Sequence, residues 1–178
     1  YNIAFGERIS GIIIDKLYSA FSTLEVSPYI RARAIEKSIF TIQNGKKFSR
    51  TICAADILYE SGEYYHALDF YIRALDGDEA EPLTMYRASV CLIKCSRFSE
   101  AYDILVKTIK AADLIPELYP CLIRCCLELG IEWHDYYESM EIEKLGFNEI
   151  YELAESFMNK GYYEKAGYLY SCIFEKYS

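Results

Sequence analysis

The chain repeats a residue pattern every 34 positions, and a sequence that does so stacks similar modules side by side instead of wrapping one central core. Gly62 anchors one copy, followed by Tyr64, Ala67, Tyr71 and Ala74. A step of 34 residues lands on Ser96, Phe98, Ala101, Leu105 and Thr108, and a second step reaches Gly130. The set returns at Gly161, Tyr163, Ala166, Tyr170 and Ile173, only 31 residues after Gly130, so the third copy is three residues short.

Upstream of each anchor runs an apolar pattern with helical spacing. Ala54, Ala55 and Leu58 correspond to Ala88, Ser89 and Leu92, then to Leu122, Ile123 and Cys126, then to Leu153, Ala154 and Phe157. Steps of three and four place each set on one helical face. Pro82 and Pro116 stand at the first position of their expected helices, where a missing N–H is harmless. Each module therefore reads as a helix, a tight turn at Gly or Ser, and a second helix.

This pattern resembles the tetratricopeptide repeat family, whose unit is a 34-residue helix–turn–helix with small residues where its helices cross. The resemblance covers about residues 48–178, in units 48–81, 82–115, 116–146 and 147–178. It implies an all-α fold, a right-handed α-solenoid. Small residues at Ala67, Ala101 and Ala166 allow close helix approach, and Tyr64, Tyr71, Phe98, Tyr163 and Tyr170 are expected to cover the seams. The third unit departs from the pattern, with Asp135 at the small position and Ser139 at the aromatic one. A charge cannot sit unpaired at a close helix crossing, so the second helix there is expected to be shifted or shortened.

Residues 1–47 lack the signature but read as a further helix pair. Ile9, Ile12, Ile13, Leu17, Ala20, Phe21 and Leu24 form an apolar stripe, with Gly11 as its weak point. Ser27-Pro28 signals the second helix, which Ile30, Ala34, Ile35, Ile39 and Ile42 continue toward the Asn44-Gly45 turn. Residues 1–50 carry eight basic and four acidic side chains, whereas residues 51–178 carry eleven basic and 23 acidic. Such a basic, apolar pair either caps its own array or enters the groove of another copy through Ile9, Ile12, Ile13, Leu17 and Phe21.

Composition narrows the function. The net charge of −8 argues against a nucleic-acid partner, which calls for an excess of Lys and Arg. No apolar run approaches the ~20 residues that cross a bilayer. Seven cysteines, an odd number without a CxxC pair, fit reduced thiols in the cytoplasm or nucleus. The chain starts at Tyr1 and not at Met, so a fragment or a processed form is expected. The final helix shows Tyr168, Leu169, Ile173 and Phe174 with no polar cap after it, and more repeats or another subunit are expected to cover it.

Catalysis has little support. His66 is expected to face solvent, and His134 lies beside Trp133 in the irregular unit; neither belongs to a nucleophile or metal pattern. Cys91 with Cys95, and Cys121 with Cys125, share helical faces, but Cys91 and Cys125 are equivalent repeat positions, as packing produces. No cofactor and no metal are expected, and no phosphate-cradling loop is present.

Binding remains. In the family the chain resembles, first-helix positions line the inner surface, and these correspond to Ile52, Asp56 and Tyr59, to Tyr86, Val90 and Ile93, to Arg124 and Leu127, and to Tyr151, Glu155 and Met158. Chaperone-binding members clamp a terminal carboxylate with Lys and Asn where this chain has Ile52 and Asp56, so heat-shock-protein tails are not expected. A largely apolar groove suits a helical or extended apolar segment of a protein partner. The stretch 85–105 also resembles the N-terminal repeats of scaffold subunits of the anaphase-promoting complex, a cell-cycle ubiquitin ligase, which implies a homodimeric assembly scaffold. The alternative is a repeat chaperone, such as a secretion chaperone, that holds an apolar client segment.

Overall fold

The structure is a computed structural model that describes residues 27–30, 32–33, 45–75, 81–111 and 115–177. Among these residues every regular element is helical and none is a strand. The chain divides into two compact units, residues 1–76 and 77–178. Residues 9, 12, 13, 17 and 21, named above for dimerisation, lie outside the described residues.

In the first unit, α1 (Gly45–Glu60) packs against α2 (Tyr64–Leu75). The second unit contains α3 (Pro82–Lys94), α4 (Phe98–Ala111), α5 (Leu118–Leu129), the short α6 (His134–Glu138), a 3₁₀ turn (Ile142–Lys144), α7 (Phe147–Asn159) and α8 (Tyr163–Tyr177). Here α3 pairs with α4 and α7 with α8, while α5 packs on both α3 and α4 and is followed by α7.

The four anchors are four copies of one helix terminus. Gly62, Gly130 and Gly161 have φ of +76°, +69° and +83°, and Ser96 has φ +60°. Past each anchor the next N–H reaches back five residues: Glu63 to the Leu58 carbonyl, Arg97 to Leu92, Ile131 to Cys126 and Tyr162 to Phe157, at 2.8–2.9 Å. A left-handed residue followed by this bond turns the chain sharply and satisfies a helix-end carbonyl. Glycine does this without a Cβ penalty; Ser96 bears that penalty, of about 1 kcal/mol.

The twelve upstream positions matched between repeats, from Ala54 to Phe157, are all buried. Ala67, Ala101 and Ala166 are fully enclosed where their helix pairs cross. The aromatic positions behave less uniformly. Tyr71 is fully buried, whereas Tyr163 is exposed on α8 and covers no seam, because no described helix lies beyond that face. Pro82 opens α3 as expected. Pro116 instead sits in the turn before α5, which starts at Leu118 and takes Pro120 into its first turn.

In the third helix pair the second helix is only five residues long. Asp135, at the small-residue position, stands exposed, and Trp133, Met140 and Leu145 fill the space instead. The Trp133 ring meets Phe157 at 4.9 Å and Tyr162 at 5.3 Å. With so little of α6 to intervene, α5 packs directly on α7.

Candidate partner-binding face

The first-helix residues named from the sequence divide into three groups. Ile52, Tyr59, Tyr86 and Val90 are half-buried, and Tyr151 and Met158 are exposed. These keep surface for a partner. Ile93 and Leu127 are buried, at 4% and 7% exposure, and do not line an open face. They occupy the last turn of α3 and α5, and in each case the next first helix packs alongside. Met158 holds the same repeat position and remains open because α7 has no such neighbour among the described residues.

The third group is charged, and each member has a partner. In the first unit the Tyr71 hydroxyl donates to Asp56 Oδ1 at 2.5 Å, while Tyr59 stands edge-on to Tyr64 and Tyr71. In the second unit Tyr170 donates to Glu155, and this bond holds the phenol proton so that its pKa rises to about 12. Arg124 Nη1 donates to Glu152 Oε2 at 2.5 Å, and Lys94 Nζ donates to Glu152 Oε1 at 2.6 Å.

Glu152 was not named by the sequence reading, yet it organises the face of the second unit. Its carboxylate draws together α3, α5 and α7, three successive first helices. Burial alone would raise its pKa; the hydrogen bonds and charges of Lys94 and Arg124 outweigh that and hold it below the usual value. Lys160 repeats the linkage at the helix ends by donating to Glu128 at 2.8 Å. Glu152 lies one position beyond the repeat register that marks Tyr151, so a search by face passes over it. In the second unit the surface expected to be an apolar groove is therefore mixed: Tyr86, Val90 and Tyr151 stand on helices that an ion cluster joins.

Among the described residues both histidines are held in local contacts. His66 is half-buried, pairs with Glu63 and packs between Tyr29 and Tyr65. His134 stacks on Trp133 at 4.0 Å and contacts Glu132. Burial pushes the thiols of Cys91, Cys121 and Cys125 up to about 12, which makes them poor thiolate ligands. Among the described residues no three His, Cys, Asp or Glu side chains converge as a metal site, and no helix is long and apolar enough to cross a membrane.

No family model matches the chain, and no curated protein matches it in sequence. Solved structures do. MamA from Desulfovibrio magneticus RS-1 superposes with a TM-score of 0.67 at 17% identity, covering 94% of this chain and 93% of that one. YrrB, described as a TPR protein with an unusual peptide-binding site, superposes with a TM-score of 0.65 at 14% identity, covering 91% and 81%. The chain has the tetratricopeptide-repeat fold. At these identities the likeness establishes architecture alone. The tetratricopeptide assignment explains why Ile93 and Leu127 are covered, since each first helix of such a stack is flanked by the next.

Proposed function

We propose that this tetratricopeptide chain is a non-enzymatic protein-interaction scaffold that uses its first-helix face to hold a segment of another polypeptide. The observation that carries the reading is the face of the second unit. Tyr86, Val90 and Tyr151 keep accessible aromatic and aliphatic surface, and the Glu152 ion cluster fixes the helices that present them. Amphipathic aromatic surface on a rigid support is what recognition of a peptide or helix requires. The peptide-binding site ascribed to YrrB, which shares the fold, adds support.

The finer reading is a homodimer that pairs through Ile9, Ile12, Ile13, Leu17 and Phe21 and serves a large assembly of the anaphase-promoting type. It rests on the apolar stripe and on the stretch 85–105.

Two measurements test these readings. A Tyr86→Ala/Tyr151→Ala chain with an unchanged circular dichroism spectrum should lose the proteins that co-purify with wild type; undiminished co-purification rejects the face. Light scattering through a dilution series should show a dimer that Ile13→Asp dissolves. A monomer at every concentration rejects self-pairing and leaves the scaffold reading intact.

A further inference from the structure

The turn between α5 and α6 borders a pocket that neither the repeat pattern nor the first-helix face accounts for. It measures about 280 Å³, and Gly130, Glu132, Trp133, His134, Lys160 and Tyr162 are among the residues that line it. Tyr86, Val90 and Tyr151 are not. Sites for small-molecule ligands run from about 300 to 1,000 Å³, so this volume suits one long side chain better than a cofactor.

Two helices end at the pocket, α5 at Leu129 and α7 at Asn159. A helix C-terminus carries partial negative charge and favours a cation. At the end of α5 the Cys126 carbonyl accepts from both Gly130 and Ile131, and the carbonyls of residues 127–129 accept no bond among the described residues. Lys160 donates to Glu128 at 2.8 Å, which balances its charge. Glu132 Oε1 accepts from the backbone N–H groups of His134 and Trp133 and contacts His134 Nδ1. The bonds from His134 hold the Glu132 carboxyl below the usual carboxylate range, so it is ionised at neutral pH. Its Oε2 accepts no bond among the described residues.

Beside this negative charge stands an aromatic wall. Tyr162 is 43% exposed and lies edge-on to the buried Trp133 at 5.3 Å. A cation near a ring face is attracted by the ring. Guanidinium suits both features: it is planar and weakly hydrated, and its five donors reach several oxygens while its face stacks on a ring. An ammonium is compact and more strongly hydrated, and gains less here.

We propose that this pocket receives a guanidinium group, presented by an arginine side chain of a partner protein. The guanidinium stacks on Tyr162 and donates to Glu132 Oε2 and to the carbonyl end of α5. The site is separate from the proposed first-helix face and does not depend on it.

The test is titration of the 178-residue chain with Nα-acetyl-arginine amide at constant ionic strength, read by saturation-transfer NMR and by the emission of Trp133, the only tryptophan. Binding should saturate in the millimolar range expected of a single side chain. The lysine analogue should bind more weakly, and the citrulline analogue, uncharged and of similar shape, should not bind. Glu132→Gln keeps an acceptor for the α6 backbone and should weaken arginine binding by about two- to fivefold, the range of an exposed charge pair. Lys160→Met should tighten it, because Glu128 loses its cation. Tyr86→Ala should leave it unchanged, which separates this pocket from the first-helix face. No binding by either readout, equal binding of the citrulline or lysine analogue, equal affinity for Glu132→Gln and wild type, or weaker binding by Lys160→Met would overturn the proposal.

Discussion

Tyr71 donates its hydroxyl hydrogen to Asp56 at 2.5 Å, and Tyr170 makes the same bond to Glu155, each fifteen residues back along the chain. In both places the second helix of a repeat holds an acid on the first helix. The bond removes that acid from the set of charges open to a partner. It also ties the pair together next to the close crossings at Ala67 and Ala166.

The two bonds should differ in worth. Tyr71 is fully enclosed and Tyr170 only half-buried, and a hydrogen bond to a carboxylate contributes more where water competes less. Tyr71→Phe should lower unfolding free energy by about 1–3 kcal/mol and Tyr170→Phe by about 1 kcal/mol or less. Urea denaturation of both variants measures the difference, and equal losses would contradict it.

The Glu152 cluster has a pH signature. Its folded pKa is depressed below the usual carboxylate value, so its contribution is fully present above that usual value and is lost as pH falls through the folded one. Wild type should lose thermal stability more steeply than Glu152→Gln between about pH 5 and pH 3. At neutral pH the variant should be less stable by about 1–2 kcal/mol, a figure reduced for the partial exposure of all three side chains. Parallel pH profiles for the two proteins would show that the cluster contributes nothing.

Two turn substitutions should act in opposite directions. Ser96 sits at φ +60°, where Ser96→Gly relieves strain and should stabilise by about 0.5–1 kcal/mol. Gly130 sits at φ +69° with nothing within 4 Å of an added Cβ, so Gly130→Ala meets strain without a clash and should destabilise by about 1 kcal/mol. Differential scanning calorimetry reads both, and shifts of the same sign would refute the account.

Trp133 is buried between Phe157 and Tyr162 where α6 is too short to fill the array. Trp133→Ala should cost about 3–5 kcal/mol. As the only tryptophan, it reports its own site: wild-type emission should shift to the red in one step with the far-ultraviolet signal as urea rises. A red shift that precedes the loss of helix would mean that the α5–α7 contact opens separately.

The helix pairs were legible because their signals are local and recur. Gly62, Gly130 and Gly161 mark the turns, and alanine at the crossings marks the approach of the helices. Asp135 marks the one second helix cut short. The candidate face was less legible. Ile93 and Leu127 have the residue type and register of an exposed apolar lining, and only the arrival of the following helix buries them. Glu152 went unnoticed because its partners lie 28 and 58 residues away on two other helices, a relation with no local period.

Sequence alone therefore determined the repeated module among the described residues: a helix pair, the turn at each Gly or Ser anchor and the small side chains at the crossings, since backbone sterics and side-chain volume act within a few residues. Tertiary structure decided which of those side chains meet solvent and which charges meet one another. Burial and pairing depend on distances between helices, and no spacing along the chain encodes them.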